Sequence, residues 1–282
     1  MSFAAAIVQM TGRPGAAAEN RAATVAQTEA AARSGARLIV LPELAVSGYT
    51  TDPDLLAAAA EPLDGPSLAA WRAVAAEHDA LIAGGFCERQ GTALFNSAVL
   101  VGPDGLVLHY RKLHLFDAEQ LVFTPGDLGL PVAETPLGRI GLCVCYDLRF
   151  VEVLRALALQ DAEVVVVPTA WVGGFDPAPR DATGMIGQAR GAAVQANLNQ
   201  LFLLCASQAG AATGKRFLGS SMIVDPWGNL LAGPLGEEDQ AIAQAVIDPA
   251  LSRAAQRRSE RIMPRRDRRT DVYALRIGDR LL

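Results

Sequence analysis

Residues 139–167 read RIGLCVCYDLRFVEVLRALALQDAEVVVV. The first seven are mostly apolar and strand-like, residues 149–159 carry the apolar spacing of a helix, and residues 164–167 are unbroken valine. A β-branched run without polar alternation fits a strand buried on both faces, as in a sheet covered by helices. Strand, helix and strand in succession point to a layered α/β fold. At the junction between the first strand and the helix stands Cys145, followed by Tyr146-Asp147-Leu148-Arg149-Phe150.

The same logic extends both ways. Residues 4–9 read as a strand, 16–34 as an alanine-rich helix punctuated by Gly35, 37–41 as a strand, and 67–78 as a helix with Ser67 as its N-cap. Strands follow at 81–87, 93–101 and 106–110, the last two joined as a hairpin by Gly102-Pro103-Asp104-Gly105. Beyond residue 167 the pattern predicts a helix over 182–196 and strands at 201–206, 220–224 and 240–247, with Asp225-Pro226-Trp227-Gly228 turning between the last two. No linker-like or low-complexity tract interrupts the series, so residues 1–282 are expected to form one domain.

Hydrophobic residues make up 51% and charged residues 20% of the 282, with a net charge of −5, which excludes a disordered chain. Apolar runs such as 164–167 and 201–206 fall far short of the ~18 residues of a membrane span. The first ten residues hold no Lys or Arg, so no secretory signal is expected. Four cysteines, two of them one residue apart, do not make a disulfide framework. A soluble, cytoplasmic protein without a membrane partner is the expectation. Residues 253–269 hold eight arginines against two acids, a local net of +6 that leaves −11 for the rest. Only Tyr273, beyond them, is available to stack on bases, so no nucleic-acid partner is expected. The segment is instead expected to pair with acidic surface of its own domain or of a sister subunit.

Three places break the pattern in ways that packing does not require. A buried strand ends in Pro42 and is followed at once by Glu43. Strand ends are where α/β sheets present functional groups, so Glu43 is a general base or, alternatively, a solvated loop acid. Tyr110-Arg111-Lys112-Leu113-His114-Leu115-Phe116 closes a hairpin and sets Lys112 among apolar residues. There it either stabilises a developing oxyanion or snorkels at the surface. Glu119, seven residues on, can pair with Lys112 or orient a substrate amide. Third, the strand-to-helix junction at Cys145 exposes a sulfur where helix-start N–H groups favour thiolate and oxyanion alike, whereas Cys87, Cys143 and Cys205 fit buried, inert positions. A zinc site is not expected, because C-x-C with no nearby histidine lacks the ligand spacing. His78, His109 and His114 are read as structural; a Cys–His hydrolase using His114 has no distinctive spacing behind it.

Together and in order these segments resemble the nitrilase superfamily of carbon–nitrogen hydrolases. The resemblance rests on Leu41-Pro42-Glu43 with Ser47-Gly48-Tyr49, on Tyr110-Arg111-Lys112 with His114-Leu115-Phe116, and on Cys145-Tyr146-Asp147-Leu148-Arg149-Phe150. Phe123-Thr124-Pro125-Gly126, Phe217-Leu218-Gly219-Ser220-Ser221, Asp225-Pro226-Trp227-Gly228 and Asp267-Arg268-Arg269-Thr270-Asp271-Val272-Tyr273 also look like family segments, so it covers nearly the whole chain. It implies an α/β four-layer αββα sandwich that forms a homodimer or larger homo-oligomer, and a Glu–Lys–Cys set needing no metal or organic cofactor. By that resemblance Cys145 is the nucleophile, forming a thioester, and Glu43 is the general base. Lys112, with the backbone N–H of Tyr146, stabilises the oxyanion, and Glu119 positions substrate and lysine.

Within the family, Cys-Tyr-Asp-x-Arg-Phe looks more like the amidase and ω-amidase branches than the true nitrilases, which typically carry Trp-Glu after the cysteine; carbamoylases rank third. The length leaves no room for the fused synthetase or acyltransferase domains of some members. A small amide is the expected substrate, with Tyr49 and Trp171 as walls of the acyl pocket or as plain packing residues. One departure stands out: where relatives often have Arg-Ala-x-Glu-Asn-Gln, this chain reads Gln195-Ala196-Asn197-Leu198-Asn199-Gln200. Residues 173–184 show no carboxylate-binding cluster apart from Arg180, which favours an aliphatic or aromatic amide over a dicarboxylate monoamide. A catalytically silent member acting as an interaction protein is the non-enzyme alternative.

Overall fold

The computed structural model describes residues 1–175, 180–238 and 240–282. Its first half comprises β1 (Phe3–Gln9), α1 (Ala17–Arg33), β2 (Ala36–Val40), α2 (Pro53–Ala59), α3 (Pro66–His78), β3 (Leu81–Gln90), β4 (Ala93–Gly102) and β5 (Gly105–Arg111). The second half begins with β6 (Val132–Thr135), β7 (Gly138–Leu142), α4 (Val151–Leu159), β8 (Val164–Thr169), α5 (Gly187–Asn199) and β9 (Phe202–Ser207). The hairpin β10 (Ala209–Ala212) and β11 (Lys215–Leu218) follows, then β12 (Met222–Val224), β13 (Leu230–Ala232), β14 (Ala241–Ile247) and α6 (Pro249–Ala255). A terminal hairpin, β15 (Arg276–Ile277) and β16 (Arg280–Leu281), ends the chain.

Two six-stranded sheets result, in the orders β14-β1-β2-β3-β4-β5 and β13-β12-β9-β8-β7-β6. Alternation along β1 shows how they stack. Ala5 and Ile7 pack in one core with Ile140, Val165 and Leu203 of the other sheet, whereas Ala6 and Val8 pack with Ala31 of α1 and Trp71 of α3. On the far side, Val153, Leu154 and Leu157 of α4 and Ala189, Ala192 and Ala196 of α5 cover the second sheet. The layers are therefore α, β, β, α, as expected. Among the described residues no helix is long and apolar enough to cross a membrane.

Strand direction places the chemistry. β1, β2 and β3 are parallel, and β5 runs with them because β4 turns back between. β7, β8 and β9 are likewise parallel. The carboxyl ends of both sets are tied by a bridge from Met10, after β1, to Gln208, after β9. Glu43, Lys112 and Cys145 each stand just beyond such an end.

Several boundaries differ from expectation, each for a local reason. Ser67 is not the cap of α3; Gly65 is, with Pro66 in the first turn, and Ser67 donates both its N–H and its hydroxyl to the buried Glu61 carboxylate (2.9 and 2.9 Å). The strand expected through residue 145 stops at Leu142, because Cys145 begins a 3₁₀ turn, Cys145–Arg149. The helix expected over 182–196 is Gly187–Asn199, since Asp181 accepts from the N–H groups of Thr183 and Met185 and holds those residues in a turn. The arginine segment meets acidic surface at Glu163, paired with Arg253. Its deepest member, Arg265, instead caps helix ends, donating to Ala158 O (2.7 Å) of α4 and Asn199 O (2.6 Å) of α5. A cation there satisfies last-turn carbonyls and the helix dipoles, although burial lowers its pKa to about 10.

Gly85 in β3 sets how close the Glu43 loop can lie. Its N–H donates to Pro42 O (3.1 Å), and a Cβ there would sit 2.6 Å from Leu44 N and 2.8 Å from Glu43 Cα. Gly85→Ala is expected to fold with unchanged far-UV circular dichroism but to lose about 1–3 kcal/mol in urea unfolding. An unchanged midpoint would show that the loop can back away freely.

Candidate active site

Glu43 and Lys112 leave the first sheet, Cys145 leaves β7 of the second, and Glu119 lies on a 3₁₀ turn, Asp117–Leu121. The four meet at the buried seam between the sheets. Lys112 Nζ is 2.6 Å from Glu43 Oε1 and 2.9 and 2.7 Å from the two Glu119 oxygens. All three ammonium protons are thus engaged. Tyr49 donates its hydroxyl to Glu119 Oε1 (2.6 Å), the Phe116 N–H donates to Oε2 (3.0 Å), and Asn96 Nδ2 donates to Glu43 Oε1 (2.8 Å). Glu43 and Glu119 are 0% exposed and Lys112 1%, so one cation faces two carboxylates away from water. Removing Lys112 from such a set would leave two buried carboxylates facing each other without a counter-ion.

Backbone contacts hold these side chains in register. The Lys112 N–H donates to Asn96 O (2.9 Å), and its carbonyl accepts from Gly126 (2.9 Å), where any side chain would overlap the Arg111 carbonyl. The Glu43 N–H donates to Thr169 O (3.2 Å) across the seam, while Gln208 Nε2 donates to Glu43 O (2.8 Å). Beside Lys112, Arg111 inserts its guanidinium between Glu88 and Asp127 (3.0 Å to Asp127 Oδ1) and over the Phe95 ring. Burial alone would raise the Glu88 pKa, but hydrogen bonds from His109, Arg111 and Ser97 outweigh it and hold the carboxyl down at about 2.

Cys145 has φ +46°, a left-handed conformation costly for a residue with a Cβ. Asp147 over-determines it. Its Oδ2 accepts from the Val144 N–H (3.0 Å) and the Tyr110 hydroxyl (2.6 Å), and its Oδ1 from the His114 N–H (3.1 Å), with His114 Nδ1 2.8 Å away. From behind, Gln195 Nε2 donates to Leu148 O (2.5 Å), so the residue at the position of the usual arginine supports the same turn. His114 is committed to Asp147 and stacks on Phe150 at 3.6 Å; among the described residues no histidine hydrogen-bonds to Cys145. The Cys–His arrangement therefore lacks its geometry.

Burial raises the Glu43 pKa against the opposing pull of Lys112, and burial together with the Glu43 charge raises that of Cys145. Burial pulls Lys112 down, but Glu119 and Glu43 outweigh it and keep it cationic. The resting site is then a neutral thiol, a fixed ammonium and a carboxylate made unusually basic. Glu43 Oε2 is buried without a hydrogen-bond partner, and Glu43, Lys112 and the Ala170 backbone lie near enough to the thiol to act on its proton affinity. Such an array can move a proton from sulfur to carboxylate while holding positive charge beside the reacting centre. Among the described residues no cluster of three His, Cys, Asp or Glu is arranged to hold a metal ion.

Cys145 opens into a cavity of ≈ 90 Å³ walled by Phe116, Tyr146, Trp171, Val172 and Phe175. Tyr146 and Trp171 thus reach the cavity, while Tyr49 does not line it and bonds Glu119 from behind. Phe116 packs edge-on to Tyr146 (5.1 Å) and Phe175 (4.9 Å). Arg180 is tied to Gly184 O, Leu218 O, Ser220 and Glu237. Residues 176–179 of the segment 173–184 lie outside the described residues. Asn96, Asp147 and Gln208 escaped sequence reasoning. The signal available for Asn96 was a polar residue inside the apolar run of β4, and for Asp147 a carboxylate two residues after the junction cysteine.

Residues 4–257 match the family model for carbon-nitrogen hydrolases. A nitrilase of Pyrococcus abyssi (strain GE5 / Orsay) is 33% identical over 225 residues, 79% of this chain and 81% of that protein. An (R)-stereoselective amidase of Pseudomonas sp. is 35% identical over 243 residues, 86% and 84% of the two chains. The C-to-A mutant of the Nesterenkonia AN1 amidase in complex with butyramide superposes with a TM-score of 0.77 at 25% identity, covering 96% of this chain and 95% of that one.

Two stability effects follow from these shifts. A carboxyl whose folded pKa is raised stabilises the fold below its unfolded pKa and loses that contribution as pH rises through the folded value. Glu43→Gln is therefore expected to raise the unfolding midpoint at pH 7 and to lose this advantage in acid. Glu88 has the opposite sign, since its stabilisation is present above the ordinary value of 4.5 and is lost as pH falls toward about 2. Glu88→Gln is expected to cost about 3 kcal/mol at pH 7, read as a denaturant shift that shrinks between pH 4.5 and 2; a pH-independent shift would refute the linkage.

Proposed function

The chain belongs to the carbon–nitrogen hydrolase family, and from that premise we propose that it is a cysteine amidase converting a small carboxylic acid amide to acid and ammonia. The observation that carries this reading is the thiol of Cys145 lying against a basic Glu43 and a fixed Lys112, at the end of a small, mostly apolar cavity. Glu43, Lys112, Glu119 and Cys145 are read as the catalytic set, with Tyr146 and Trp171 against the substrate. Tyr49 is a positioning residue acting through Glu119. The whole of residues 1–282 is read as one catalytic domain in the cytoplasm, needing no cofactor. A second copy of the chain is its expected partner, supported by exposed Val151, Val194 and Leu198 on α4 and α5.

In this mechanism Glu43 removes the thiol proton as sulfur attacks the amide carbon, and the carbonyl electrons move to oxygen. Lys112 and the Tyr146 N–H, at the start of the 3₁₀ turn, stabilise that oxyanion. Before attack the cluster holds one cation and two carboxylates. Afterwards it holds the same cation, the oxyanion and neutral Glu43, with Glu119 unchanged. The net charge of the buried cluster is unchanged, so no charge enters the cavity as bonds rearrange. Protonated Glu43 then gives its proton to the departing nitrogen, ammonia leaves, and a thioester remains. Water enters, Glu43 takes its proton, and collapse of the second tetrahedral species returns the proton to sulfur and frees the acid.

The cavity is small beside the usual ligand pocket, which supports a small acyl group. The four contacts of Arg180 support a neutral acyl group over a dicarboxylate monoamide, since that cation is already committed. The butyramide bound to the neighbouring amidase, a small neutral amide, supports the same reading.

Ammonia release from amides, ω-amides, N-carbamoyl compounds and nitriles is the test. Amides are expected to turn over, with Cys145→Ala inactive, Cys143→Ala active, and Lys112→Met lowered by on the order of 10²–10³. Because burial raises Glu43, kcat/KM should rise with pH through an apparent value above 4.5. Turnover surviving Cys145→Ala would overturn the assignment.

A further inference from the structure

The wall of the cavity over Cys145 carries two polar side chains that the proposed reaction leaves idle, Arg149 and Gln188. Gln188, in the first turn of α5, interrupts the apolar and aromatic lining. Its amide oxygen Oε1 is buried without a hydrogen-bond partner, and among the described residues its side chain makes no hydrogen bond. Buried side-chain amides are rarely left so, because an unpaired polar group away from water costs free energy. The other orphaned acceptor at this site, Glu43 Oε2, belongs to the proposed general base. Gln188 also lines a second, outer groove of ≈ 450 Å³ that begins at Phe175 and runs past Lys215. It therefore stands where an acyl chain would pass from the enclosed cavity to the surface.

Resting on the amidase reading, we propose that Gln188 is a specificity-determining residue that accepts a hydrogen bond from a hydroxyl or amino group on the acyl part of the substrate. The preferred substrates are then small amides whose acyl chain bears an O–H or N–H donor, in place of wholly hydrocarbon amides. The argument is one of asymmetry. A hydrocarbon acyl group filling so small a cavity leaves the Gln188 oxygen unpaired, whereas a donor pairs with it. A site that holds a hydrogen-bonding group in this way discriminates against the analogue lacking the partner more strongly than an apolar pocket discriminates by size. The small cavity also keeps Gln188 within a few carbon atoms of the carbonyl that Cys145 attacks.

The test compares kcat/KM for lactamide, alaninamide and isobutyramide, which differ only in a hydroxyl, amino or methyl group, and for the corresponding β-substituted set. Wild type should prefer a donor-bearing amide in at least one set. Gln188→Met, of similar shape without the acceptor, should shift that preference toward the methyl compound by roughly ten-fold or more. Gln188→Glu keeps an acceptor, so it should retain the preference and move it toward alaninamide, whose amine is cationic; this variant carries the test even if Gln188→Met folds poorly. Ratios that stay within about two-fold in both variants, with amides still turned over, would overturn the proposal and leave the amidase reading standing. Folded wild type hydrolysing no amide would remove the amidase reading and this inference with it.

Discussion

One ammonium shared between two buried carboxylates constrains everything around it. Without Lys112, Glu43 and Glu119 would repel across the seam and at least one would take up a proton. Lysine suits the place because its charge is compact and its three donors can point to different carboxylates, where a planar guanidinium would demand one bidentate partner. The composition of the chain makes this specific. Of 25 basic residues, Lys112 and Lys215 alone are lysine, so cations in general are arginine and the buried one is an exception. Asn96, Tyr49 and the Phe116 N–H each add a second donor to a carboxylate oxygen that the ammonium already engages, and Glu43 Oε2 alone is left open.

The site also collects terms that oppose folding. Cys145 is held in a left-handed conformation, Glu43 keeps a proton affinity raised by burial, and Glu43 Oε2 is buried without a hydrogen-bond partner. Each would be relieved by unfolding or by mutation, and each is countered by something nearby: the four contacts of Asp147, the Glu88–Arg111 network beside Lys112, the Gln208 clamp on Glu43. Local departures from good packing chemistry gather at the candidate site, and the surrounding structure holds them in place.

The sequence made some of this legible and hid the rest. Strands such as Val164–Thr169 and the hairpin β4–β5 were plain, because unbroken β-branching and a Gly-Pro-Asp-Gly turn are local signals. Glu43, Lys112 and Cys145 were visible as polar residues at the ends of apolar strands, and their order carried the family resemblance. The left-handed Cys145 was not legible, since no glycine marks it and only the tertiary contacts of Asp147 impose it. Nor was the Tyr49 hydroxyl on Glu119, a contact across 70 positions of chain. Helix starts failed where capping was non-local, as when Glu61 rather than Ser67 satisfied the entry to α3.

The pairing of β1 with β14 carries a further meaning for how the molecule comes into being. Phe3 lies opposite Ile247, so the strand that emerges first during synthesis waits for one of the last. Until then the edge of β1 stays open, and its inner face has no second sheet to cover it. Contacts so distant along the chain slow folding, and an open edge during that wait invites pairing with other chains. A ribosome-bound fragment ending after Lys112 would hold two of the three strand-end residues and still have no site, because the thiol and the covering sheet have yet to be made. The candidate site is thus complete only once both sheets have been made.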